Sequence, residues 1–189
     1  IYRNSGRIVV DFGINLAGVV EIKVPSSLKK GDSITLRHSE LIDADGNLVT
    51  DVLRNAAATD KYISDGNEFV YRPMFTYHGF RYAELTGAVD DLDREDIVAL
   101  ALSNDMESKS FFKCGSPIVN AIMEASVQTE RCNLHSIATD CPQRDERMGW
   151  LNDATVRFEA LPYSFDAGRM FPKIISDIVA EQDENGVIG

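Results

Sequence analysis

Cysteine, histidine and tryptophan are scarce in this chain of 189 residues, which holds three, three and one of them. Each scarcity removes a class of chemistry. Cys114, Cys132 and Cys141 are odd in number and lack CxxC spacing, and with so few histidines beside them no zinc pattern can be assembled. They are expected to be thiols. Basic residues are also in deficit, 19 Lys and Arg against 30 Asp and Glu, for a formal net charge of −11. With no clustered Lys/Arg patch, neither nucleic acid nor an anionic membrane surface is a fitting partner, whereas a neutral substrate is. No apolar run approaches the roughly 20 residues of a transmembrane helix, and the amino end carries no signal-peptide pattern.

The 44% hydrophobic content is enough, at this length, to bury a real core. Its distribution changes class in mid-chain, which predicts a small domain over 1–105 and part of another over 106–189. In the first part, residues 8–13, 18–24, 33–38, 61–64, 68–72, 80–85 and 97–102 are short runs rich in β-branched and aromatic residues. Turn signals at Gly13-Ile-Asn15 and Lys30-Gly-Asp32 separate the first three. Several short strands without intervening helices predict an antiparallel β-sandwich. Asp43-Ala-Asp-Gly-Asn47 has its Gly two positions too early for a calcium loop and predicts a tight turn instead; Asp90-Asp-Leu-Asp-Arg-Glu-Asp96 predicts an exposed acidic turn. The aromatic segment Tyr71-Arg-Pro-Met-Phe-Thr-Tyr-His-Gly-Phe-Arg-Tyr82 can stack on sugar rings or fill a core, and core filling is the expectation, with His78 as a structural histidine.

Beyond Cys114-Gly, Ser116 can cap a helix with Pro117 in its first turn, and Ile118, Val119, Ile122, Met123 and Val127 follow at helical spacing to about Arg131. A second helix is predicted over 145–161. A third, over 169–182, should turn Phe171, Ile174, Ile175 and Ile178 inward and be stopped by the glycine of Asp183-Glu-Asn-Gly-Val-Ile-Gly189.

The densest stretch of chemistry is Asp140-Cys-Pro-Gln-Arg-Asp-Glu-Arg-Met-Gly-Trp-Leu-Asn-Asp153, which contains the sole tryptophan. Alternating charge near a helix start is ordinarily a solvated face that complements the helix dipole. Trp150 and Gly149 argue otherwise, since a solvated face needs neither a large indole nor a residue that weakens a helix by about 1 kcal/mol. If a helix starts just after Pro142, Glu146, Trp150 and Asp153 share one face, and Asp145 lies about 100° away from Glu146 around the axis. An acid, an aromatic platform and a second acid on one face suit sugar chemistry. A nucleophilic Cys141 paired with His135 is the weaker reading.

At these residues the chain resembles the bacterial α-L-rhamnosidases of glycoside hydrolase family 78, whose hallmark is Asp-Cys-Pro-x-Arg followed by a Glu and by Trp-x-Gly-Asp. The resemblance extends to Asp11-Phe-Gly-Ile-Asn-Leu-Ala-Gly18 and to the Tyr71 to Tyr82 segment. It implies a β-sandwich followed by the first helices of an (α/α)6 barrel, the remaining helices lying beyond Gly189, so that the chain is a fragment which begins inside the intact protein. It also implies an inverting hydrolase with Glu146 as general acid, Asp140, Arg144, Trp150 and Asp153 lining the rhamnosyl subsite, and a Glu further along the chain as base. Asn152 stands where the family has glycine. No cofactor or metal is required by such chemistry. The implied partners are rhamnose-containing glycosides or polysaccharides, with a homo-oligomer of the intact enzyme left open. Two other readings remain: a non-catalytic carbohydrate-binding module, and a barrel enzyme acting on a different glycoside or by polysaccharide elimination.

Overall fold

The computed structural model describes residues 1–4 and 6–188, which form two bodies. One consists of Ile1–Ser103 together with Cys141–Arg147, the other of Asn104–Asp140 together with Met148–Gly189.

The first body is an antiparallel sandwich built from β1 (Tyr2–Asn4), β2 (Arg7–Val24), β3 (Ser33–Ser39), β4 (Leu41–Ile42), β5 (Leu48–Val49), β6 (Thr59–Ile63), β7 (Phe69–Tyr71), β8 (His78–Gly87) and β9 (Ile97–Ala101). The order β1-β2-β8-β3-β6 forms its spine, with β7 and β9 also pairing on β2. The turn expected at Gly13-Ile-Asn15 does not reverse the chain. Residues 8–24 are one strand, and the stretch from Asp11 to Leu16 bulges opposite Tyr82 to Phe80 of β8. A single left-handed glycine, Gly13 at φ 81°, relieves the bulge, while both flanks keep β8 as their neighbour. Gly18 sits at the crowded crossing of β8, β2 and β9; a Cβ there would lie 2.0 Å from the Leu100 carbonyl oxygen, so only glycine lets the strands pair.

Alternation decides what lies inside. On β3 the side chains of Ile34, Leu36 and His38 are buried, as a period of two requires. They join Ile8, Val20, Ile22, Phe80 and Leu85 in one core. Phe80 and Tyr71 of the aromatic segment serve this core, but Phe75 is fully exposed at a left-handed φ of 63°. Core filling therefore accounts for only part of that segment. Asp43–Asn47 is a tight turn whose Asp43 carboxylate accepts from the N–H groups of Asp45 and Asn47. In the acidic turn, Asp93 and Asp96 close a capping box.

The second body carries α1 (Pro117–Cys132), a hairpin of β10 (Leu134–His135) and β11 (Ile137–Ala138), α2 (Leu151–Phe158), α3 (Leu161–Ser164) and α4 (Met170–Glu181). Ser116 caps α1 by accepting from the Val119 N–H, with Pro117 just inside the start. Leu134, Ala154, Leu161, Phe165, Met170 and Ile174 form the core. One inward expectation fails. Ile175 of α4 is exposed, because the buried stripe on α4 runs through Phe171, Ile174 and Ile178 and Ile175 is turned about 100° from Ile174. On α1, Ile118 and Ile122 are exposed. Nor does glycine stop α4: the helix ends at Glu181, and Gly186 belongs to a following turn closed on the Asp183 carboxylate. No helix among the described residues is long and apolar enough to cross a membrane.

Candidate active site

The helix expected over 145–161 starts later. Residues 141–149 are non-helical, and α2 begins at Leu151 with Trp150 as its N-cap residue. Pro142 restricts the stretch and Arg147 adopts φ 40°, a left-handed conformation that cannot propagate a right-handed helix. The shared helical face of Glu146, Trp150 and Asp153 is thereby overturned. Glu146 and Arg144 belong to the sandwich body; Asp140, Trp150 and Asp153 belong to the helical body.

Within the sandwich body, Cys141–Arg147 lies against β8 and the loop that follows β5. Gly79 makes room for it: a Cβ at that position would lie 2.8 Å from Pro142 Cγ and 2.9 Å from the Gln143 backbone nitrogen. Gln143 Nε2 donates to Glu40 Oε2 at 3.0 Å, and Asn15 Nδ2 donates to the other oxygen of Glu40 at 2.6 Å. Arg147 donates to the Tyr77 carbonyl at 2.5 Å and its guanidinium sits 5.2 Å from the Tyr77 ring centroid. Glu146 is half-buried, and its Oε2 accepts from Arg54 Nη1 at 2.5 Å. Arg144 is half-buried, with a buried Nε that makes no hydrogen bond to protein. Asp145 is exposed.

Beneath this segment lies a second group of titratable side chains. His78 Nε2 donates to Asp60 Oδ2 at 3.0 Å, and the His38 ring stacks on His78 with centroids 4.2 Å apart and planes 19° from parallel. His38 donates Nδ1–H to the Ala58 carbonyl at 3.0 Å. Burial, then the neighbouring His78, pushes the His38 pKa down to about 4, so the ring is neutral near pH 7. The two imidazoles and the Asp60 carboxylate are close enough to suggest metal ligands. His78 Nε2 and His38 Nε2 lie 3.0 and 3.9 Å from the same Asp60 Oδ2, and His78 is buried and hydrogen-bonded, as a structural histidine is.

In the helical body, Asp140 is clasped to Met148: its N–H donates to the Met148 carbonyl at 3.1 Å and its Oδ1 accepts from the Met148 N–H at 2.9 Å. Next to it, the buried Thr139 presents its carbonyl to Arg157 Nη2 of α2, whose Nη1 lies 3.3 Å from Glu130 Oε2 of α1. Burial raises the Glu130 pKa against the pull of Arg157. Trp150 is 46% exposed within this chain. Asp153 is exposed in the first turn of α2, where a carboxylate complements the helix dipole. His135 engages the Cys132 carbonyl at 3.0 Å, and Cys141 is a buried thiol of the other body. Neither has the surroundings of an activated nucleophile.

Sequence reasoning missed Arg54 and Glu40, and it read Tyr77 and Gly79 only as members of the Tyr71 to Tyr82 segment; each gains its role from a partner distant in the chain.

Residues 1–103 match the family model of the bacterial alpha-L-rhamnosidase concanavalin-like domain, and residues 107–189 match that of the bacterial alpha-L-rhamnosidase 6 hairpin glycosidase domain. An alpha-L-rhamnosidase of Streptomyces avermitilis is 34% identical over 182 residues, which cover 96% of this chain and 18% of that protein. Solved structures agree. The alpha-L-rhamnosidase from Dictyoglumus thermophilum has a TM-score of 0.91 and 40% identity over 98% of this chain and 21% of its own. That of Streptomyces avermitilis complexed with L-rhamnose has a TM-score of 0.90 and 33% identity over 98% of this chain and 18% of its own. The chain therefore spans about a fifth of the length of these relatives.

Proposed function

This chain belongs to the bacterial α-L-rhamnosidase family, and from that premise we propose that the protein carrying it hydrolyses terminal α-L-rhamnosyl residues of glycosides or polysaccharides with inversion, Glu146 being the general acid. The observation that carries this reading is Glu146 itself. It is a half-buried carboxyl in a non-helical segment that Gln143, Arg147 and Arg54 tie to a rigid sandwich. Cleavage needs such a fixed acid, because the glycosidic oxygen must receive a proton as its bond to the anomeric carbon breaks. In an inverting enzyme a second carboxylate about 6.5 to 9.5 Å away deprotonates the attacking water. No residue of this chain is assigned that role.

The substrate-facing groups are Arg144, Asp140, Trp150 and Asp153. Arg144 offers donors to sugar hydroxyls, and its buried Nε has no protein acceptor. Trp150 offers a half-exposed aromatic face of the kind that stacks on a pyranose. The body following residue 105 is proposed as the opening of an (α/α)6 barrel, and residues 1–105 as a sandwich that supports the acid-bearing segment.

In the intact enzyme, Glu146→Gln is expected to lower the rate on alkyl α-L-rhamnosides by about 10²- to 10⁴-fold. A nitrophenyl α-L-rhamnoside, whose leaving group needs no proton, should lose much less. Asp145→Asn should be mild on both, as that side chain is exposed. Equal losses on the two substrates for Glu146→Gln, or a severe Asp145→Asn, would place the acid elsewhere.

A further inference from the structure

We infer that Arg54, on the sandwich loop between β5 and β6, is a positioning residue that sets the side-chain geometry of the acid Glu146. The inference rests on the reading of Glu146 as the proton donor. Arg54 Nη1 donates to Glu146 Oε2 at 2.5 Å across 92 residues of sequence, and it forms an ion pair with a side chain that is about a quarter exposed.

The loop that presents Arg54 is held from below at both ends. On one side Leu53 is 1% exposed, and its N–H and carbonyl close turns with Thr50 and Ala56 at 3.0 and 3.1 Å. On the other, the Ala58 carbonyl accepts from both the backbone N–H and Nδ1–H of His38, each at 3.0 Å. Buried His38 therefore has an architectural task that its place in a strand does not reveal. Between these anchors the backbone takes two conformations that L side chains rarely adopt, Arg54 at φ 56° with ψ −119° and Ala58 at φ 43°. Strain of this kind persists only where the surroundings over-determine it, and it gathers at functional sites.

Stability alone is a poor reason to keep such a loop, because an ion pair whose arginine is half-exposed contributes little to it. Geometry is a better one. A glutamate on a non-helical segment has three rotatable side-chain bonds, and proton donation requires one oxygen to face the glycosidic oxygen. Arg54 Nη1 holds Oε2, which limits the orientations open to the carboxyl group. As the proton passes to the leaving oxygen, which also takes the electron pair of the broken C–O bond, Glu146 becomes a carboxylate facing a fixed cation.

The test compares Arg54→Met, Arg54→Gln, Arg54→Lys and Glu146→Gln in the intact enzyme on an alkyl and a nitrophenyl α-L-rhamnoside. Arg54→Met should lower kcat on the alkyl substrate by about 10- to 10²-fold with KM changed less than about threefold, and should largely spare the nitrophenyl substrate. Arg54→Lys should fall between it and the wild type. Placed on top of Glu146→Gln, Arg54→Met should add almost nothing, since the two groups act as one unit. Equal losses on the two substrates, or additive losses in the double variant, would overturn the proposal and leave Arg54 a structural residue. Should Arg54→Met not fold, Arg54→Gln and Arg54→Lys carry the same comparison. If Glu146→Gln itself shows no dependence on the leaving group, it is the acid assignment that fails.

Discussion

His38 sits where the alternation of β3 calls for an apolar side chain, and the sandwich tolerates it by keeping the ring neutral. Burial and the adjacent His78 hold its pKa near 4, against partial support for the charged form from the Ala58 carbonyl and Asp60. The folded-state value lies below the unfolded value of about 6.5. Above pH 6.5 the ring is neutral in both states; as pH falls from 6.5 toward 4 the unfolded chain takes up a proton that the folded one refuses, and stability drops by up to about 1.4 kcal/mol per pH unit. His38→Asn retains an N–H for Ala58 and removes the titration. Urea midpoints at pH 5 and pH 7 should then differ less in the variant than in the wild type, and identical differences would show that another group titrates. Trp150 is a second residue whose surroundings define its effect. Being half-exposed, it should leave folding nearly unchanged when replaced by alanine while weakening L-rhamnose binding to the intact enzyme by about 1 to 3 kcal/mol, as calorimetry would register.

The stretch from Cys141 to Arg147 is an element without regular secondary structure, and its form comes from what it lies on. Gly79 illustrates this. A methyl group there meets Pro142 and Gln143 at 2.8 to 2.9 Å, and one of the atoms it meets is backbone, which cannot swing aside. Gly79→Ala should therefore destabilise the protein by about 1 to 3 kcal/mol and lower activity on alkyl rhamnosides at temperatures where the variant is still folded. Gly149→Ala provides the contrast, since the one tight approach of its new Cβ is to the flexible end of Ile137 at 3.2 Å, and its next neighbours lie at 3.9 Å. Melting temperatures and rates of the two variants, measured together, distinguish a displaced acid segment from general loosening; equal behaviour would count against the packing argument. Helix α2 follows the same logic. Alternating charges and an apolar period run from Asp145, yet Arg147 at φ 40° ends any helix that starts there.

On the scale of the whole molecule, the two bodies differ in how completely they bury their apolar side chains. The sandwich encloses a large cluster around Phe80, Ile22 and Leu36. The helical body leaves Ile118, Ile122, Val156, Ile175 and Val179 exposed. Hydrogen exchange on the 189 residues alone should accordingly be slower in β2, β3 and β8 than in α1 or α4. If the proposed inverting mechanism holds, the same preparation should show no turnover of a nitrophenyl α-L-rhamnoside, because such a hydrolase needs two carboxylates and the proposal places only the acid, Glu146, in this chain. Turnover by this chain alone would show that both carboxylates lie within it.

The sequence by itself determined what is encoded within a few residues. The strands of β3 and β8 follow from short runs of β-branched and aromatic residues, α1 from Ser116 and Pro117 at its start, the Asp43 turn from the place of its glycine, and the family from the Asp140 to Asp153 motif. These signals are local, since a cap, a turn or an alternation is complete within one to four neighbours. Only the tertiary structure decided that Gly13 marks a bulge instead of a turn, that Ile118 and Ile175 stay outside, and that the segment carrying Glu146 is not helical. It alone brought Arg54 to Glu146 over 92 positions and Gly79 beneath Pro142. The physical reason is that an ion pair or a steric notch depends on where two distant backbones come to rest, and that position is set by the packing of the core between them.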